Sequence, residues 1–528
     1  MKYPIGIQSF DQIIGDGYVY VDKTGLIYQL VKGGKIYFLS RPRRFGKSLL
    51  VSTLKCYFQG RKELFKGLAI DKLETDWAEY PVFHIDFSQT DFLNPNLLEE
   101  KLEENISAWE QIYGKGEFAF SLGSRFAYVL KQAHKQSGRR CVVLIDEYDK
   151  PVVDALGTGL KIKKDINELL LETYYKQLLG SFYSTLKASD EDLHFILITG
   201  MTRFTQATPF SGFNNFSDIS TDCRYETLCG ITQEELEHYF AGPIHELAED
   251  YGCTDDDMRG QLKHQYDGYH FSKGMVDVYN PFSLLNAFAS LDIQDYWFSS
   301  GTPTYLVRLL NHTQENLNEL TGRYYRPEEF VDYKADVEKP LPMIYQSGYL
   351  TIKGCERTYN RFLLDFPNNE VKNGFVSLIA ADYLKPQENM KNWVIDVVES
   401  LKHGDVEQLR KLFTSFLASI PYSMRAKKDE AEKERFFHYT LYLIFRLVSV
   451  YTVYTEKEQS QGRADCIVET DGYIYIFEFK RDGTADEALA QIEAKGYARP
   501  YEADPRTLYK IGVNFSSETG TVEDWKTV

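Results

Sequence analysis

The sequence predicts a multidomain α/β protein, and three observations carry that expectation. Residues 1–210 alternate short apolar runs with helical stretches, the pattern of a mainly parallel sheet covered by helices on both faces. Residues 425–528 read as helix, three strands, helix and strand, with two β-type runs separated by Asp471-Gly472. The 528-residue length exceeds what one core organises, at roughly 150 residues per domain.

In chain order, the strand candidates of the first region are Lys35–Ser40, Val82–Phe87, Cys141–Asp146 and His194–Thr199. Each is largely apolar, as strands buried on both faces must be. From 211 to 325 the pattern turns helical with repeated aromatics, which suits a lid or accessory bundle. Residues 326–424 give a short helix, then the β-runs Tyr349–Lys353 and Arg361–Phe366, an order that suits a winged-helix-like module followed by linking helices. The charged stretch Arg425–Glu434 opens the last unit, 425–528.

The composition is that of a globular protein, 43% hydrophobic and 26% charged, which excludes disorder, collagen and coiled coil. With 60 Lys+Arg against 77 Asp+Glu, the net charge of −17 excludes a nonspecific nucleic-acid coat. It leaves room for an enzyme that contacts nucleic acid in a local cleft. Seven scattered cysteines form neither a disulfide framework nor a CxxC zinc site. The longest membrane-like run, Tyr442–Tyr454, has 13 residues and contains Arg446, whereas a span needs about 20. Met1-Lys2-Tyr3-Pro4 lacks a secretory core, so the expectation is a soluble, cytoplasmic protein with no membrane partner.

The run Ile36–Ser40 leads into Arg41-Pro42-Arg43-Arg44-Phe45-Gly46-Lys47-Ser48, the strand–loop–helix context of a phosphate-binding loop. Gly46 would let backbone N–H groups approach phosphates, Lys47 would reach the β- and γ-phosphates, and Ser48 would hold Mg²⁺. Arg43 and Arg44 join them as nucleotide contacts. The first glycine of GxxxxGK[ST] is replaced by Arg41, which leaves turnover less secure than binding. About 100 residues on, an apolar strand ends in Asp146-Glu147. Asp146 suits the Mg²⁺ shell and Glu147 suits activation of the attacking water; a solvated acidic turn is the plainer alternative. Thr199 ends another strand and Arg203 follows; they suit γ-phosphate sensing and charge neutralisation, or simply a turn and a surface cation. Order and spacing together predict a P-loop NTPase that binds ATP and Mg²⁺.

The C-terminal hairpin gives a sharper argument. If Asp471-Gly472 is a two-residue loop, Thr470 faces Tyr473 and Asp465 falls directly opposite Glu478. Cross-strand Cβ atoms lie about 4.5–5.5 Å apart. Lys480 projects from the same face, because side chains alternate along a strand. Two opposed carboxylates repel unless a cation intervenes, and Mg²⁺ accepts one or two carboxylates together with water and phosphate oxygens. Lys480 could then orient or deprotonate a water attacking a phosphodiester. The alternative is a charged sheet edge bridged by Lys480 and Arg463. Gln491, on the following helix, and Glu434, in the charged run, are candidates to complete the site, or solvated helix positions.

Tyr20–Thr24, Arg41–Ser48, Asp146–Asp149, Tyr266–Tyr269 and Tyr279–Phe282, with Gly462–Asp465, Glu478–Lys480 and Gln491 in the tail, resemble a bacterial AAA-ATPase-like family. In that family a P-loop domain is joined to a C-terminal PD-(D/E)XK nuclease-superfamily domain of restriction-endonuclease-like fold. The resemblance covers nearly the whole chain. It implies that Asp465 and Glu478 are metal ligands, Lys480 the catalytic lysine and Gln491 a supporting catalytic residue, with Mn²⁺ an alternative to Mg²⁺. Ala464 stands where the PD motif has proline. The resemblance also implies defence or mobile-element biology; the two phosphate-oriented carboxylate sites on one chain point to DNA as a partner, and a homo-oligomer is one of the assemblies left open. Two other functions fit the same residues: a nucleotide-dependent switch or scaffold whose nuclease-like domain only binds a partner, and a regulator acting through the winged-helix-like middle.

Overall fold

Continuous apolar sequence forces a strand inward, and four such runs build one parallel sheet. In the computed structural model they are β1 (Ile36–Ser40), β2 (Val82–Asp86), β3 (Cys141–Asp146) and β4 (Leu193–Gly200), with a short β5 (Ser217–Asp218) at the edge. Described residues are 1–164, 167–204, 216–299, 320–331, 340–375, 390–418 and 458–528 apart from 460, 461, 464, 471, 517 and 520. The strand order is β2-β3-β4-β1-β5, all parallel. All six residues of β3 are buried, and each large aliphatic side chain so placed contributes about 1.5–3 kcal/mol. Helices α1 (Lys47–Phe58), α2 (Leu97–Tyr113), α3 (Leu122–Ser137) and α4 (Leu171–Ala188) belong to the same region. Because the strands are parallel, the loops after β1, β3 and β4 leave the sheet at one edge, where ligands bind in open α/β sheets.

The helical stretch that follows forms α5 (Gln233–Tyr251), α6 (Asp255–Tyr266) and α7 (Pro281–Ser290), which share an apolar core with Tyr3, Val19 and Val21 of the N-terminal segment. An ion pair between Lys23 and Glu235 at 2.6 Å adds to that attachment. The middle module is a three-stranded antiparallel sheet of β6 (Arg323–Tyr325), β7 (Thr351–Glu356) and β8 (Arg361–Asp365), in the order β6-β8-β7, with α8 (Leu341–Gln346) before β7. Its helix faces inward: the Gln346 side-chain Oε1 accepts the Arg203 N–H at 2.9 Å, and Gly348 abuts Pro42 of the loop after β1. The chain divides at Val371 into two compact units.

The C-terminal unit begins earlier than the charge pattern suggests. Helices α9 (Met390–His403) and α10 (Val406–Ala418), which the sequence groups with the linking region, pack on the C-terminal sheet. Leu401, Leu409, Phe413 and Leu417 meet Val468, Tyr475, Phe477, Ile511 and Val513. The sheet order is β9 (Cys466–Glu469), β10 (Tyr473–Arg481), β11 (Thr507–Phe515) and β12 (Val522–Thr527), with only β10 and β11 parallel. β12 is an additional edge strand; its polar sequence lacks the apolar signal that marks the others. α11 (Ala485–Lys495) covers the opposite face, over Ile467, Ile474 and Ile476. Gly512 makes room for it, since a Cβ there would lie 2.3 Å from the Ala485 carbonyl oxygen. The Arg425–Glu434 stretch, Glu434 included, and Tyr442–Tyr454 lie outside the described residues.

Replacing Gly512 by alanine should therefore push α11 off the sheet. Chemical denaturation of the Gly512→Ala chain is expected to show the C-terminal unit destabilised by about 1–3 kcal/mol.

Candidate functional site

The first site forms around the loop between β1 and α1. Gly46 turns the chain with φ 88°, in the left-handed region, and α1 starts at Lys47 with its N-terminal N–H groups open to an anion. A cavity of about 470 Å³ opens here, lined by Arg43, Arg44, Gly46, Lys47, Ser48, Glu147 and Asp149, a volume that accommodates a nucleotide. Lys47 Nζ donates to the carbonyls of Arg41 and Pro42, both at 3.0 Å, which folds the lysine onto its own loop.

The carboxylates come from the turn after β3. Asp146 is buried, and its Oδ1 accepts the Glu147 N–H at 3.1 Å and the Thr199 hydroxyl at 2.5 Å. Glu147 has φ 51° and lines the cavity; burial raises its pKa, with Lys47 opposing. Asp149 is equally buried and accepts N–H bonds from Met201 and Thr202 and the Thr202 hydroxyl. The loops after β3 and β4 are thereby tied together.

Three sequence expectations are refined. Arg41 takes no part in the phosphate cradle. Its guanidinium is 1% exposed, donates to the carbonyls of Ser40, Ser220 and Tyr225, and lies 4.1 Å from the Phe271 ring centroid. An arginine suits this corner because it faces inward, toward Ser220, Tyr225 and Phe271. Thr199 hydrogen-bonds Asp146 from a fully buried position instead of facing the cavity. Arg203 is ion-paired with Asp218 at 3.3 Å and borders a separate small cavity beside Arg41. Two groups escaped sequence reasoning: Pro4–Gln8, and Phe282 with Leu285 of α7, which form the apolar wall of the nucleotide cavity. Phe282 lies in the Tyr279–Phe282 segment, where an Asn-Pro helix start was the available signal; Asn280 caps α7 through the Phe282 and Ser283 N–H groups.

The second site occupies the face of β10 that α11 covers. The register pairs Cys466 with Phe477 and Ile467 with Ile476, as the two-residue hairpin requires. Just beyond, exposed Asp465 accepts the Phe479 N–H at 2.8 Å. Glu478 is 1% exposed. Gln491 donates from Nε2 to Glu478 Oε1 and accepts Lys480 Nζ–H at Oε1, 2.5 Å away. Lys480 Nζ lies 3.6 Å from Glu478 Oε1. Burial, then the charge of Asp465, pushes the Glu478 carboxyl up to about 7, while Lys480 opposes the shift. Among the described residues, the buried Glu478 Oε2 has no hydrogen-bond donor. An orphaned carboxylate oxygen opposite an exposed second carboxylate fits a divalent cation completed by water or substrate oxygens. Among the described residues, no group of three or more His, Cys, Asp or Glu side chains forms a complete metal cage.

The comparisons match both regions of the chain. A family described as "Predicted AAA-ATPase" matches residues 4–210, and the PD-(D/E)XK nuclease superfamily matches 432–525. The chain is 35% identical over 527 residues to an "Uncharacterized protein in vnfD 5'region" of Azotobacter chroococcum mcd 1, covering 99% of this chain and 98% of that protein. The chain belongs to the AAA-ATPase-like family with a PD-(D/E)XK nuclease-superfamily domain. This family membership accounts for the parallel P-loop sheet and the mixed C-terminal sheet alike. All seven cysteines are free thiols, and no helix among the described residues is long and apolar enough to cross a membrane.

Two predictions follow from these geometries. Arg41→Gly restores the glycine of the loop pattern but removes a buried set of donors, so it should lower stability by about 2–4 kcal/mol in denaturant titrations. Glu478 keeps a proton in the folded chain up to about pH 7 that the unfolded chain releases near its ordinary value of 4.5. Its contribution to stability is therefore present below pH 4.5 and lost as pH rises through about 7. In metal-free buffer, the wild type should lose more stability between pH 5 and pH 8 than Glu478→Gln, and Mg²⁺ at pH 8 should restore the wild type alone.

Proposed function

We propose that the chain is an ATP-controlled, Mg²⁺-dependent nuclease acting on DNA, with Mn²⁺ able to replace Mg²⁺ at the C-terminal site. The donorless Oε2 of buried Glu478, with Lys480 Nζ 3.6 Å from its other oxygen and Asp465 bonded to the next backbone N–H, is the observation that carries this reading. A divalent cation there would supply positive charge to a phosphodiester and lower the pKa of water.

The chain's own residues divide the work. In the nucleotide unit, Lys47 exchanges the Arg41 and Pro42 carbonyls for phosphate oxygens, while Ser48 and Asp146 hold Mg²⁺. Glu147 orients the attacking water, and Arg43 and Arg44 offset phosphate charge. In the nuclease unit, Asp465 and Glu478 hold the cation and Lys480 orients or deprotonates the nucleophile. Gln491 keeps Lys480 and Glu478 in fixed relation. A role in defence or mobile-element biology rests on family resemblance, and assembly into a homo-oligomer is compatible with it.

Incubation of the purified chain with supercoiled plasmid, divalent metal and ATP tests the proposal. Cleavage should require metal, change with ATP, and fall at least about 100-fold in Asp465→Ala and Glu478→Ala. Lys47→Ala should remove the response to ATP. No cleavage with any metal, or cleavage indifferent to Asp465→Ala, would overturn it; ATP binding without cleavage would favour the switch or scaffold.

A further inference from the structure

Glu370 is a carboxylate with 0% exposure, and among the described residues no cation forms an ion pair with it. Burial pushes its carboxyl up to about 8. A group so costly to bury is held by specific donors, and here they are informative. The Ser283 hydroxyl reaches both carboxyl oxygens, at 2.9 and 2.8 Å, and the Trp297 backbone N–H donates to Oε1 at 2.6 Å.

Both donors lead to the phosphate-binding loop. The Trp297 indole N–H donates to the Arg43 carbonyl at 3.1 Å, and its ring packs on Tyr349 at 5.1 Å. Ser283 lies in the first turn of α7, next to Phe282, whose ring carries the Arg44 guanidinium at 4.8 Å. Arg43, Arg44 and Phe282 all line the nucleotide cavity. Two arms from one buried carboxyl thus end on adjacent loop residues. Arg44 has φ 66°, a strained conformation for a side-chain-bearing residue that its surroundings must hold.

We propose that Glu370 is a positioning residue for the nucleotide loop, acting through Trp297 on the Arg43 carbonyl and through Ser283 and Phe282 on Arg44. This deepens the nucleotide-binding part of the proposed function and rests on it. What the arms need from Glu370 is acceptor oxygens, since the carboxyl has donors but no counter-charge. A glutamine keeps an acceptor for Trp297 and can exchange hydrogen bonds with Ser283; a leucine keeps only the volume.

Calorimetric titration of the full chain with Mg²⁺-ATP tests this. Trp297→Phe removes the indole donor and should weaken ATP binding about five- to tenfold. Glu370→Leu should weaken it at least as much, and Glu370→Gln should restore near wild-type affinity. The Glu370→Leu/Trp297→Phe double variant should lose less than the product of the two single losses, the sign of a shared route. Phe362→Leu, a core change in the middle module, should lower the melting temperature without moving ATP affinity. If Glu370→Leu fails to fold, Trp297→Phe and Ser283→Ala carry the test. ATP affinity unchanged in Trp297→Phe, or Glu370→Gln as impaired as Glu370→Leu, would overturn the inference alone. A wild type that binds no ATP would overturn the nucleotide reading and the inference with it.

Discussion

A carboxylate removed from water costs several kcal/mol unless donors or a cation replace its hydration, and this chain buries four such groups around its two candidate sites. Asp146 is met by the Thr199 hydroxyl and the next backbone N–H, and Asp149 by donors from Met201 and Thr202. Those bonds hold the ends of β3 and β4 in register beside the phosphate-binding loop. Glu370 is met by Ser283 and Trp297. Glu478 receives one donor, Gln491, and one of its oxygens has none. The first three are structurally answered, whereas the fourth keeps one buried oxygen without a donor among the described residues.

Much of the fold was legible because burial writes continuous apolar strands. Cys141–Asp146 and Ile36–Ser40 could hardly be anything else, and a parallel sheet follows from the helices between them. The C-terminal register was legible for a different reason: a two-residue loop leaves no freedom, so Asp465 and Glu478 could be set on one face before any coordinates. The open Oε2 of Glu478 was not legible, because it depends on where Gln491 of α11 lands.

Other features were hidden in the sequence because their partners lie far along the chain or carry no motif. Arg41 looked like a defective loop position because its partners, Ser220, Tyr225 and Phe271, lie far along the chain. Thr199 and Arg203 carried the right residue types at the right distance from a strand end, but Asp146 and Asp218 claim them. Helices α9 and α10 were grouped with a linker because their apolar stripes do not say which sheet they cover. The N-terminal Pro4–Gln8 segment gave no signal at all, since a cavity wall made of ordinary apolar residues has no motif.

The bridge made by Gln491 has a kinetic meaning. A neutral amide spans Lys480 and Glu478, so the opposite charges stand 3.6 Å apart instead of closing into a tight pair. The other carboxylate oxygen is buried and has no hydrogen-bond donor among the described residues. A cation entering such a centre, as proposed, would displace the proton that burial keeps on Glu478 up to about pH 7, so its loading would slow as pH falls below that value.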